Sequence, residues 1–93
     1  MTIAPDEKQT QSEADLRSRI RDFVVGNFYI PSPKELDDNS SLVEAGVVDS
    51  TGVMEIIAFL ASSVGVTVED DEIVPENLDS IERITRYVAR KMA

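Results

Sequence analysis

Three stretches of this chain carry apolar residues at helical spacing, and that pattern limits what the chain can fold into. Leu16, Ile20, Phe23, Val24 and Phe28 form the first stripe. Val53, Ile56, Ile57, Leu60 and Val64 form the second, and Ile81, Ile84, Val88 and Met92, helped by Tyr87, form the third. Residues recurring at i, i+3, i+4 and i+7 share one face of a helix, and that face must be buried. Three such faces in 93 residues predict one all-α domain, too short to divide in two.

Local signals set the boundaries. Residues 1–12 read as a flexible lead-in and residues 13–93 as a single domain. The first helix is expected over about 13–28, with Ser12 as cap and Asp15 three residues on. Gly26 costs that helix about 1 kcal/mol relative to Ala, and its missing side chain would admit a close neighbour. Pro31 and Pro33 stop it. The second helix is expected over 50–63, ended by Gly65. Val66-Thr67-Val68 alternates like a strand but has no pairing partner, so it reads as extended loop. A short helical turn follows at 75–78, opened by Pro75. The last helix begins after Asp79, which forms a capping box with Glu82, and Arg90 and Lys91 suit its negative end. Three longer helices and one short one result.

Between the first two helices runs a connection of roughly twenty residues, over positions 29–49. Connections of that length in small domains are uncommon and often functional. Leu36, Leu42, Val43, Val47 and Val48 are placed to pin it to a core, and Gly46 permits a turn.

Composition narrows the chemistry. The chain has no cysteine and no histidine, which removes thiolate zinc sites, disulfides and any Ser-His-Asp hydrolase. A binding or carrier role is expected in place of an enzyme. There is no apolar run of transmembrane length, and residues 1–15 lack the apolar core of a secretory signal, so a cytoplasmic protein is expected. The net charge of −9 is uneven: residues 31–80 hold twelve acids and only Lys34, whereas residues 81–93 carry four cations and one acid. Such an acidic middle repels nucleic acid and anionic membranes and suits basic protein surfaces. Residues 69–72 lack the alternating ligands and central glycine of a calcium loop, so they read as a solvated acidic turn and no metal site is expected.

The long connection delivers the chain to Asp49-Ser50-Thr51. Asp49 is a favourable N-cap, which makes Ser50 the first helical residue. The N–H groups of a first helical turn have no internal partners, and the helix dipole adds positive potential there. An anion attached to Ser50 would sit in that field. Asp49 opposes it by like charge unless a divalent cation bridges carboxylate and phosphate. Taken alone, an Asp-Ser pair reads as an ordinary helix start.

The wider pattern is more specific. Ser41-Leu42-x-x-x-Gly46-x-Val48-Asp49-Ser50 is followed by an apolar helix, a glycine stop, Val66-x-Val68, an acidic turn and a closing helix. Over about residues 13–92 this order resembles the acyl carrier protein family. The resemblance implies a four-helix bundle whose serine, here Ser50, bears a 4′-phosphopantetheine arm taken from coenzyme A. Asp49 matches the residue that assists Mg²⁺ during transfer by a phosphopantetheinyl transferase. Thr51, Met54, Glu55 and Ala58 match the face read by acyl-loading and acyl-transferring enzymes, expected to have basic surfaces. The chain is expected to act as a monomer. It departs from the family pattern at Thr51, where Leu is usual, at Gly52, where Asp is common, and at Ala61-Ser62-Ser63, where the fatty-acid type is rich in Glu. Those departures point to a specialised lipid, polyketide or nonribosomal peptide pathway. The alternative is a non-catalytic acidic helical adaptor for a basic partner. A serine-dependent enzyme is the weakest reading, because no base is evident near Ser50.

Overall fold

Helix-forming segments alternate with pinned loops throughout the computed structural model, which describes residues 12–30 and 32–93. Among them are four α-helices: α1 (Glu13–Asn27), α2 (Ser50–Phe59), α3 (Pro75–Leu78) and α4 (Ile81–Met92). Short 3₁₀ turns lie at Pro33–Glu35 and Asp70–Glu72, and a π turn at Leu60–Val64 extends α2. There is no strand among the described residues, and no helix is long and apolar enough to cross a membrane. Apart from Ser12, the lead-in expected over residues 1–12 lies outside the described residues, as does the helix-stopping Pro31.

The three stripes supply the core. Leu16, Ile20 and Val24 of α1 are buried, as are Ile81, Ile84, Tyr87 and Val88 of α4, and the two helices pack together. Ile56 enters from α2 and Leu60 from the π turn that extends it, and Leu36, Leu42 and Val48 from the connection. Ion pairs border the α1–α4 contact. The Arg17 Nε lies 2.9 Å from Glu82, whose other oxygen takes Arg86 at 2.8 Å. Arg21 reaches Asp38 at 2.8 Å, fastening the middle of the connection. The hydrogen bond from Arg17 holds the Glu82 carboxyl below its usual range, and the same bond raises the guanidinium of Arg17.

Helix ends follow local chemistry. The Ser12 Oγ accepts the Asp15 N–H at 3.1 Å. Gly65 sits in the left-handed region at φ 88°, and its N–H donates to the Leu60 carbonyl at 2.8 Å, stopping the second helix. Four expectations need correction. The cap of α4 is Ser80, not Asp79: the buried Ser80 Oγ accepts the Arg83 N–H at 2.9 Å, while Asp79 faces the connection. Glu82 accordingly serves arginines and closes no capping box. Gly26 has no neighbour where a Cβ would stand, so no close approach depends on it. Val43 and Met92 are largely exposed; Met92 is the last residue of α4, where the chain leaves the core.

Candidate functional site

Asp49 and Ser50 lie at the junction of the connection and α2. Asp49 has extended backbone angles, its carbonyl accepts the Val53 N–H at 2.9 Å, and its Oδ1 accepts the Gly52 N–H at 2.9 Å. This is the full geometry of an N-cap. It leaves the N–H groups of Ser50 and Thr51 pointing out of the helix start without helical partners. The Asp49 Oδ2 has no hydrogen-bond partner among the described residues. Both side chains are exposed. The hydroxyls of Ser12, Ser40, Ser41, Ser62 and Ser80 are engaged in hydrogen bonds, whereas those of Ser18, Ser32, Ser50 and Ser63 have no partner among the described residues, and of these four Ser50 is the one at a capped helix start.

The turn before the cap is held in place. Gly46 has φ 76°, and the Leu42 carbonyl accepts N–H groups from Val47 at 2.9 Å and Val48 at 3.2 Å. Buried Val48 then carries the chain into Asp49. Behind Ser50, Gly52 faces inward. A Cβ there would lie 2.9 Å from the Phe28 Cε1 and 3.1 Å from the Val48 Cγ1. The ring of Phe28 packs edge-on to Phe23 at 6.0 Å, and Phe23 stacks on Phe59 at 4.2 Å. Gly52 therefore admits the aromatic side chain of Phe28, the residue that caps the end of α1.

Thr51, Met54, Glu55 and Ala58 are all exposed and share the outer face of α2, with Met54 at 57%. The structure thus brings all six residues singled out in the sequence onto one surface. An open hollow of about 890 Å³ surrounds Ser50, bounded by Asn27, Phe28, Val47 and Glu55 among others. An adjoining cleft of about 400 Å³ is lined by Val43, Val48, Val53, Ile73, Val74 and Leu78, with Ser41, Glu44 and Asp79 also on its walls. Val43, Val48 and Val53 border both spaces.

No known family's sequence profile matches the chain, and no curated protein matches it. The functional reading rests on the residues themselves.

The acidic turn has a different role. The Glu72 carboxylate accepts the Glu69 N–H at 3.0 Å, the Tyr87 hydroxyl at 2.7 Å and the Lys91 ammonium at 2.9 Å. These bonds, led by that from Glu69, lower its pKa from 4.5 to about 2. Burial and the bond to Glu72 raise the Tyr87 hydroxyl. Residues 69–72 thus fasten α4 to the segment before α3. Sequence reasoning missed Asp79 and Phe28 as supports of the Ser50 region; both act through contacts far apart in sequence, which spacing does not signal.

Proposed function

We propose that this chain is a carrier of the acyl carrier protein type, with Ser50 as the attachment point of phosphopantetheine. The observation that carries the reading is the unengaged, exposed hydroxyl of Ser50 at a capped helix start, set beside an apolar cleft. The surrounding residues fit the group. Ser50 offers a free nucleophilic oxygen, the first-turn N–H groups of α2 favour a phosphate, and the spare Asp49 Oδ2 is a hard ligand of the kind Mg²⁺ takes. In attachment, the Ser50 Oγ–P bond forms as the P–O bond to the adenosine bisphosphate part of coenzyme A breaks, and the hydroxyl proton passes to a base of the transferase. Once bound, the arm supplies a thiol that holds an acyl or aminoacyl group as a thioester.

What this chain's residues do is hold and display. Asp49 and Gly52 fix the start of α2, so the Ser50 oxygen faces outward. Val43, Val48 and Val53 give an apolar cargo a sheltered surface within reach of the same walls. Thr51, Met54, Glu55 and Ala58 present a sparsely charged face, suited to enzymes of a specialised pathway. The helix order, with a long pinned connection before Ser50 and a short third helix, supports an acyl carrier protein bundle.

Incubation of the purified chain with coenzyme A, Mg²⁺ and a broad-specificity phosphopantetheinyl transferase tests the reading. One phosphopantetheinyl increment in the intact mass, absent in Ser50→Ala, is expected. No increment leaves the acidic adaptor as the better account.

A further inference from the structure

Asp79 lies between α3 and the Ser80 cap of α4, and three successive residues of the connection bond to it. Its carbonyl oxygen accepts the Leu42 N–H at 2.9 Å. Its Oδ1 accepts the Val43 N–H at 3.0 Å, and its Oδ2 accepts the Ser41 hydroxyl at 2.6 Å. The Ser41 Oγ in turn accepts the Glu44 N–H at 3.1 Å. The Leu42 carbonyl then takes Val47 and Val48, the two residues before Asp49. A continuous chain of bonds therefore leads from the α3–α4 junction to the cap that displays Ser50.

The partners of this carboxylate are dipoles and not cations. No Lys or Arg occurs anywhere in residues 35–82. Its contribution is therefore directional: hydrogen bonds to an ionised acceptor are short and geometrically demanding. Asp79 also joins opposite parts of the 400 Å³ cleft, since Ser41, Val43 and Glu44 line it together with Val74, Pro75 and Leu78.

We infer that Asp79 is a positioning residue for Ser50. It holds the turn at 41–48, and through Val47 and Val48 the Asp49 cap, in the place where Ser50 meets the enzyme that modifies it. The inference rests on the carrier reading of Ser50 for its functional half, and its structural half stands on the hydrogen bonds alone.

Two measurements on the full chain test it. In hydrogen exchange, Asp79→Ala should speed exchange at Val43, Glu44, Val47 and Val48 by about tenfold or more, the scale of a lost bond to a charged acceptor. Exchange at Ile20, Val24, Ile84 and Val88 should stay unchanged. Asp79→Asn, which keeps an acceptor for Val43 and a partner for Ser41, should restore most of the protection. In the transferase assay, Asp79→Ala should lower kcat about tenfold, as misplacement of a reacting atom does, while KM moves by less than about twofold. Asp79→Asn should again recover most of the rate. An unchanged turn overturns the inference, and so does a loosened turn with unaltered kinetics. Faster exchange throughout α1 and α4 also overturns it, because Asp79 would then support the whole fold. Should Asp79→Ala fail to fold, Ser41→Ala, which removes only the 2.6 Å bond and the acceptor of Glu44, must show the local loosening; a flat profile overturns the inference. A wild-type chain that gains no mass refutes the carrier reading and the functional half with it, whereas the exchange result separately decides whether Asp79 holds the turn.

Discussion

The α1–α4 half of the molecule and the Ser50 half are held together by different chemistry. In the first, buried aliphatic residues from both helices meet, and Arg17, Arg21, Arg86 and Lys91 each find a carboxylate. In the second, no cation is present between residues 35 and 82, and the chain is secured by backbone bonds, helix caps and the carboxylate of Asp79. The frame pairs four of its cations internally, although Glu13, Asp15 and Asp22 of α1 stay exposed. The display half leaves Glu44 and Glu55 exposed, with Met54 on the same outer surface of α2 as Glu55. A surface whose acids have no internal partner is available to another molecule; one whose charges are paired is not.

Substitutions can break or sharpen this contrast, and the largest effect is expected in the frame. Ile84 is fully buried, so Ile84→Ala should cost ~2–5 kcal/mol in denaturant unfolding, through lost transfer energy and the cavity left behind. A cost near that of a surface change would place the core elsewhere.

At the border of the two halves, Gly52→Ala sets two effects against each other. Alanine gains about 1 kcal/mol of helix propensity, but overpacking costs ~1–3 kcal/mol. Phe28 is already packed against Phe23, so it has little room to retreat from a Cβ at 2.9 Å. A net loss of about 1 kcal/mol is expected, and Phe28→Leu in the same chain should convert it to a gain. Equal effects in both backgrounds would dissociate Gly52 from Phe28.

The third test uses pH. The pKa of Glu72 is lowered from 4.5 to about 2, so its contribution is present above about 4.5 and is lost as pH falls through about 2. Thermal melts across that window should show a falling Tm, and Glu72→Gln should flatten the fall. An identical slope in both proteins would remove Glu72 from the ties that hold α4.

The smallest stability effect belongs to the display face. Met54→Ala should change unfolding free energy by less than ~0.5 kcal/mol, yet raise the KM of the phosphopantetheinyl transferase. A large loss of stability would mean that Met54 belongs to the frame.

Much of this arrangement was legible in the sequence because it is local. Stripe spacing located α1, α2 and α4, Pro75 opened α3, and Gly46 and Gly65 marked the two left-handed turns. The Asp49 cap followed from residue type and position. What escaped depends on contacts distant along the chain. Asp79-x-x-Glu82 has the spacing of a capping box, but Asp79 is drawn to Ser41 and Val43, and Glu82 to Arg17. Gly52 reads as a mere departure from a family pattern until Phe28 is seen against it. Val43 looks like a core residue in the sequence yet is 54% exposed, on a wall shared by the hollow and the cleft. Thr85, polar and fully buried, satisfies its hydroxyl on the Ile81 carbonyl one turn back at 2.7 Å, a local bond that residue type alone does not reveal.

The central claim is that the Ser50 oxygen is the point of attachment. Site-resolved mass spectrometry of the chain after treatment with coenzyme A and transferase, beside Ser50→Ala and Ser62→Ala, tests it most directly. The account predicts one phosphopantetheinyl group on the peptide containing Ser50, kept in Ser62→Ala and lost in Ser50→Ala. A chain that remains unmodified, or a group that persists in Ser50→Ala, would contradict it.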